Sequence, residues 1–296
     1  MKKEFGKIIT AMVTPFNKDS SLDIDGIKKL VKHLEDTGTE TIVLSGTTGE
    51  GPTLTETEKE ILFKEVCKVK RNETKIIMNV GTNNTLETVN NAIKWSSRLE
   101  VDGVMVVCPY YNKPSQKGLY LHFKTVNDAI DKPIMAYHIP GRTNVVMNED
   151  TMIKISALSN ITMLKDSEGD LRKLKNVIEK TKENWSIYCG DDPALFDYLD
   201  IGSVGVVSVA SHFIGEDIVK LINDFNDGSL VTAKDRQEFV TLVAMELFPS
   251  YAPSPVPAKY MLSLKGLIQE DVRLPLTSLE EIEKVYMSKA FRKLFR

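Results

Sequence analysis

The sequence predicts an α/β chain of the (β/α)8 type, a TIM barrel, followed by a C-terminal helical extension. Three observations predict it. Eight short, β-rich apolar runs alternate with longer amphipathic stretches across residues 1–228. The runs are continuously apolar, as strands covered on both faces are. No G-x-G-x-x-G follows a strand and no Walker A sequence occurs, which disfavours a doubly wound nucleotide-binding sheet. A barrel of this kind typically takes about 250 residues, and the chain has 296.

In order, the predicted strands are Ile8–Val13, Thr41–Leu44, Lys75–Val80, Gly103–Val107, Pro133–His138, Ile161–Leu164, Trp185–Cys189 and Val204–Val209. Between them, apolar residues recur at the period of half-buried helices. Asp23–Thr37 sets Ile24, Ile27, Leu30, Val31 and Leu34 on one face; Thr55–Lys70 does the same with Ile61, Leu62, Val66 and Val69. Thr85–Leu99, Gln116–Ile130, Asn148–Leu158, Asp170–Lys182, Pro193–Asp200 and Gly215–Asn226 complete the alternation. From residue 229 the rhythm changes. Val231–Phe248, Pro257–Lys265 and Ser278–Lys289 read as helices, interrupted at Ala252-Pro-Ser-Pro-Val-Pro257, where proline removes donors and blocks helix continuation. The expected division is a catalytic barrel over 1–228 and a helical extension over 229–296.

Composition narrows the function. Hydrophobic residues make up 42% and charged residues 27%, ordinary for a globular chain. A net charge of −3 with no basic stripe argues against a nucleic-acid partner. The three cysteines, Cys67, Cys108 and Cys189, are far apart and odd in number, which fits a reduced compartment better than a disulfide framework. His33, His122, His138 and His212 are scattered, and no metal-ligand spacing asks for an ion. No signal peptide or membrane span is read, so the expected location is the cytoplasm.

In barrel enzymes the chemistry lies at the C-terminal ends of the strands. Those ends carry Ser45-Gly-Thr-Thr-Gly-Glu50, Cys108-Pro-Tyr-Tyr-Asn112, Tyr137-His-Ile-Pro-Gly-Arg-Thr143, Lys165 and Gly190-Asp-Asp192. Lys165 ends an apolar run and faces a polar turn. It reads either as a solvated strand-end lysine or as a nucleophile, because burial disfavours the ammonium form and a neutral amine forms a Schiff base with a carbonyl. Gly46–Gly49 is either a tight turn or a small-anion cradle, with Thr47 and Thr48 adding hydroxyl donors. Tyr137 is a core aromatic or a proton shuttle. Tyr110 and Tyr111 are packing residues or participants. Arg142 is a loop charge or a two-pronged carboxylate ligand. Taken together, amine, hydroxyls and carboxylate-binding groups fit carbon–carbon bond chemistry on an α-keto acid.

The motifs Thr14-Pro-Phe16, Gly46-Thr-Thr-Gly-Glu50, Pro109-Tyr-Tyr-Asn-Lys-Pro-Ser115, Tyr137-His-Ile-Pro140, Gly141-Arg-Thr-Asn144, Leu164-Lys165-Asp166 and Gly190-Asp-Asp192 occur in this order. In them the chain resembles, over essentially its full length, the dihydrodipicolinate synthase / N-acetylneuraminate lyase family of class I aldolases. The resemblance implies a lysine–pyruvate imine on Lys165, with no metal or organic cofactor. It implies a proton relay of Thr47, Tyr111 and Tyr137, with Tyr111 reaching a neighbouring subunit's site, and therefore a homo-oligomer, a dimer or tetramer. Thr48 would bind the pyruvate carboxylate, and Gly190 and Val207 would present main-chain carbonyls at the imine. Arg142 and the segment 109–118 resemble the synthase branch, which condenses pyruvate with aspartate-4-semialdehyde for lysine biosynthesis; the alternatives are sugar-acid or N-acetylneuraminate aldolases, or a non-catalytic pyruvate-binding barrel. Departures bearing on substrate choice are Lys165-Asp-Ser-Glu-Gly-Asp170, His138, His212 and Ser254. In lysine-inhibited members the effector binds at a subunit interface. Asn83, Glu87 and Tyr110 match those positions, but Glu56 and Lys59 do not, which implies weak feedback inhibition.

Overall fold

The computed structural model describes residues 5–181 and 185–295. Eight strands close in sequence order into a barrel: β1 Ile8–Ala11, β2 Thr41–Leu44, β3 Lys75–Asn79, β4 Gly103–Val107, β5 Ile134–His138, β6 Ile161–Asp166, β7 Ser186–Cys189 and β8 Gly205–Ser208. Pairing from β3 through β8 is parallel throughout. Every residue of β1, β2, β5 and β8 is buried, which is why these runs carry no polar alternation.

The helices are α1 Ile24–Asp36, α2 Glu56–Val69, α3 Thr85–Ser96, α4 Gln116–Asn127, α5 Pro140–Thr143, α6 Glu149–Ser156, α7 Leu171–Thr181, α8 Leu195–Asp200, α9 Ser211–Asn226, α10 Leu230–Leu247, α11 Val256–Leu264 and α12 Glu281–Leu294. Polar residues set their starts. The side chains of Asp23, Asn84, Ser115 and Asn148 accept hydrogen bonds from first-turn backbone amides, and Thr55 with Glu58 closes a reciprocal capping box.

Four differences from the expected elements bear on the site. β6 runs two residues further than Ile161–Leu164, so Lys165 and Asp166 lie inside the strand. α5 was not expected; it is a single turn with proline in its first positions, too short for a periodic signal. α9 begins at Ser211 instead of Gly215, with a kink at Ile214. α12 starts at Glu281, after the N-cap residue Glu280, whose capping box with Glu283 fixes the boundary, and continues to Leu294. The predicted helix end at Lys182 and the N-terminal reading over residues 1–4 fall outside the described residues.

By contact density the chain falls into two compact units, Met1–Ile9 with Lys75–Val207, and Thr10–Thr74 with Ser208–Arg296. In the first, the strands β3–β8 form a ladder with α3, α4, α6, α7 and α8 between them. In the second, the apolar faces of α1, α9, α10 and α11 pack together around Leu30, Leu34, Ile218, Leu221 and Leu262, all buried. No described helix is long and apolar enough to cross a membrane.

Candidate active site

In the first unit, β5 and β6 pair with Tyr137 opposite Lys165 and His138 opposite Asp166. Side chains alternate across a strand, so Tyr137 and Lys165 share one face while His138 and Asp166 share the other. Lys165 is 7% exposed and Tyr137 6%. The Lys165 amine sits 4.1 Å from the centroid of the Tyr137 ring, a cation–π distance. The bland reading of Lys165 as a solvated strand-end charge therefore does not hold.

Gly190 abuts this pair. A Cβ there would lie 2.1 Å from Ser167 Oγ, 2.8 Å from the Asp166 carbonyl oxygen and 3.0 Å from Lys165 Cε, so only glycine leaves the lysine its place. The Gly190 amide donates to the Asp166 carbonyl at 2.7 Å, which ties the end of β7 to the end of β6. Val207 lies on β8 and is buried. Arg142 is exposed on α5. Tyr111 is 87% exposed, with φ at +72°, in a left-handed conformation uncommon for a bulky residue. Lys165, Tyr137 and Gly190 are thus brought together, while Tyr111 and Arg142 present themselves to the outside of this single chain.

Beneath the Tyr137–Lys165 pair lies a network that sequence reasoning missed. The Met147 amide donates to His138 Nε2 at 3.1 Å, which assigns the imidazole proton to Nδ1. Nδ1 then donates to Asp166 Oδ1 at 2.8 Å. The Tyr198 hydroxyl donates to Asp166 Oδ2 at 2.6 Å and accepts from the Gly169 amide at 3.2 Å. The Glu168 amide donates to Oδ2 at 3.3 Å. Burial raises the Asp166 pKa, but the His138 and Tyr198 hydrogen bonds outweigh it and hold the carboxyl below its ordinary value. His138, Asp166 and Glu168 offer ligand atoms within 4.8 Å of one another, a spacing a cation would accept. Those atoms are already engaged: both His138 nitrogens as described, and Glu168 by an ion pair with Lys173. The signal for this network was present in the sequence as two ionisable residues, His138 and Asp166, at the ends of apolar strands. The two buried thiols beside this network are poor nucleophiles. Burial pushes Cys108 and Cys189 well above the ordinary thiol range.

In the second unit, Thr47 is exposed and Thr48 half-buried in the turn after β2. The turn is closed by Glu50 donating its amide to the Thr47 carbonyl and Gly51 its amide to the Gly46 carbonyl, both at 3.0 Å. Thr14 Oγ1 donates to the Gly49 carbonyl at 2.6 Å. At Gly51 a Cβ would fall 2.0 Å from the Ser45 carbonyl oxygen, so glycine is obligatory for this reversal. Glu50 turns inward in a left-handed conformation, φ +51°, and meets Lys259 of α11 at 2.8 Å. Both are buried; Lys259 is 0% exposed. The second Glu50 oxygen accepts from the Arg273 amide at 2.9 Å, and the Arg273 guanidinium pairs with Glu58 and donates to the Thr53 carbonyl. Lys259 and Arg273 also lie at 4.3 and 4.2 Å from the centroid of the buried Phe16 ring. A lone lysine within the apolar helix VPAKYMLSL was the available sequence sign of this pair.

An eight-stranded parallel barrel with a buried amine on β6, stacked on a tyrosine of β5, defines a barrel enzyme of the lysine-dependent aldolase class. The profile of the dihydrodipicolinate synthetase family matches residues 4–294, and the chain belongs to that family. It is 41% identical over 277 residues to a 4-hydroxy-tetrahydrodipicolinate synthase of Oceanobacillus iheyensis, covering 94% of this chain and 93% of that protein. A protein of the same name from Bacillus velezensis is 39% identical over 289 residues, covering 98% and 99%. Among solved structures, a dihydrodipicolinate synthase from Bacillus anthracis superposes with a TM-score of 0.94 at 40% identity, covering 99% of each chain.

Proposed function

We infer that this enzyme condenses pyruvate with L-aspartate-4-semialdehyde to give 4-hydroxy-tetrahydrodipicolinate, a step of diaminopimelate and lysine biosynthesis. The observation that carries the reading is the buried Lys165 amine on the face of Tyr137, in a chain of this family. Lys165 attacks the pyruvate C2 carbonyl and, with loss of water, forms an imine. The imine accepts electrons when a C3 proton leaves, giving an enamine that adds to the aldehyde carbon. The amino group of the semialdehyde then attacks C2, displaces Lys165 and closes the ring. The imine itself is the electron sink, so no metal or organic cofactor is invoked.

Tyr137, Thr47 and Tyr111 move the protons in this reading. The 87% exposure of Tyr111 supports its working across a contact with a second copy, hence a homo-oligomer. Thr48 holds the pyruvate carboxylate, Gly190 and Val207 supply main-chain carbonyls, and the exposed Arg142 holds the carboxylate of the second substrate. The C-terminal helices from residue 229 serve as a helical extension, and the enzyme works in the cytoplasm.

Pyruvate consumption measured against aspartate-4-semialdehyde, N-acetylmannosamine and glyceraldehyde separately tests the reading. Turnover with the semialdehyde alone is expected. Turnover only with a sugar aldehyde would instead assign the departures at 166–170 to a sugar-acid aldolase, and silence with all three would leave a different aldehyde or a non-catalytic pyruvate-binding barrel.

Free lysine is expected to inhibit weakly. Lys59 places an ammonium, paired with Glu56 at 2.7 Å, where sensitive members of the family bind the effector, and like charges repel. A lysine titration of the initial rate checks this; strong inhibition at millimolar lysine or below would contradict it.

A further inference from the structure

We propose that Asp166, clamped by His138 and Tyr198, is a positioning residue that fixes the end of β6 so that Lys165 stands against Tyr137. The inference rests on the Lys165 imine of the proposed reaction. The clamp and the reacting pair occupy successive positions of the same two strands. Tyr137 faces Lys165, and one residue on, His138 faces Asp166. Any shift of the Asp166 main chain moves Lys165 directly.

Each bond of the clamp recruits a different element. His138 belongs to β5, and its own acceptor role fixes it to the Met147 amide in the loop before α6. Tyr198 belongs to α8 and also holds the Gly169 amide, so it braces the loop that leaves β6. The Ser167 amide donates to the His138 carbonyl at 2.8 Å, and the Gly190 amide donates to the Asp166 carbonyl at 2.7 Å. The ends of β5, β6 and β7 are thereby joined at one carboxylate and its main chain. Deleting His138 leaves Oδ1 without its donor, and deleting Tyr198 leaves Oδ2 with the long Glu168 amide bond alone; the strand end relieves either loss by moving.

The clamp has a direction that makes it testable. With Met147 fixing Nε2 as acceptor, Nδ1 must donate, and Asp166 must accept as a carboxylate. The charged and titratable groups around it are His138 on β5, Cys108 after β4, Cys189 on β7, Tyr198 on α8, Glu168 in the following loop and Lys173 on α7, the last already paired with Glu168. Among the described residues, the side-chain donors to the carboxylate are His138 and Tyr198. Removing either lets desolvation prevail, and the acid form of Asp166 then appears at higher pH.

The experiment is a time course of pyruvate trapping by borohydride on the intact protein, read by mass at the Lys165 peptide across the acid limb of the pH profile. The variants are Tyr198→Phe, His138→Leu and His138→Asn, each also melted to establish folding. Asparagine can still donate to Asp166, although it no longer reaches Met147. Tyr198→Phe and His138→Leu are expected to slow trapping by roughly 10- to 100-fold, the scale on which small misplacements of a reacting group are felt. Their acid limb should move upward by about one pH unit or more. His138→Asn should restore most of the rate and the wild-type limb. Wild-type rates and limbs in Tyr198→Phe and His138→Leu would overturn the proposal. So would a loss that is uniform in pH, follows melting temperature and is not rescued by asparagine. Absence of any adduct on wild-type Lys165 would overturn the imine reading itself and this inference with it, an outcome separate from the other two.

Discussion

Replacing Lys165 with alanine is expected to abolish the borohydride-trapped adduct with pyruvate and to reduce turnover by about 10^4-fold or more, the scale seen when a covalent nucleophile is removed. Lys165 is the buried amine that stacks on Tyr137, and among the described residues no other amine takes that placement. The two nearby thiols are held protonated by burial and offer no substitute nucleophile. The fold should survive, because what alanine forfeits is one ring face and a charge interaction with Asp191. Mass spectrometry after reduction, with a melting curve for each protein, separates lost chemistry from lost structure. An adduct that persists in Lys165→Ala would place the imine on another lysine.

Lys259→Met is expected to destabilise the protein by about 3–5 kcal/mol, because it leaves Glu50 charged and unpaired in the interior. The pair is 2.8 Å long with neither side chain exposed beyond 1%. Burial lowers the Lys259 pKa, and Glu50 pulls it back up. Arg273 remains as a main-chain donor to the other Glu50 oxygen, so one bond of the carboxylate is kept. The double variant Glu50→Gln/Lys259→Met removes both charges and should recover much of the stability, since well-packed neutral replacements of a buried ion pair are often harmless. The Glu50 amide closes the Thr47–Glu50 turn, so the Michaelis constant for pyruvate should rise in the single variant, under the role proposed for Thr48. Thermal melts and pyruvate saturation curves of both variants check the two halves of this expectation. A single variant as stable as wild type would show that Glu50 escapes to water or takes up a proton.

The barrel was legible because its strands are buried on both faces and its helices start on capping side chains; β2 and β4 match their predicted limits. What escaped were the Asp166 and Glu50 sites, where polar groups are buried in pairs. β6 was cut short at Leu164 because Lys165 and Asp166 are charged, and periodicity reads charges as solvent. Their partners come from β5 and α8, far along the chain, so no local window contains them. Lys259 was passed over for the same reason, since Glu50 lies 209 residues away. Arg142 was found only through its motif, as the four-residue α5 that carries it has no period to detect. Lys165, Tyr137 and Gly190 were singled out from strand ends, and geometry then joined them.

The 209-residue separation of Glu50 and Lys259 has a consequence for the order in which the protein is made. Chains emerge from the ribosome N-terminus first. The turn after β2 is synthesised early, yet its inward carboxylate has no cation until α11 follows. Arg273, the second partner, arrives later still. A nascent chain halted before residue 259 would hold a bare carboxylate beneath Thr47 and Thr48. The segment expected to grip pyruvate is therefore among the first to be translated and among the last to be finished.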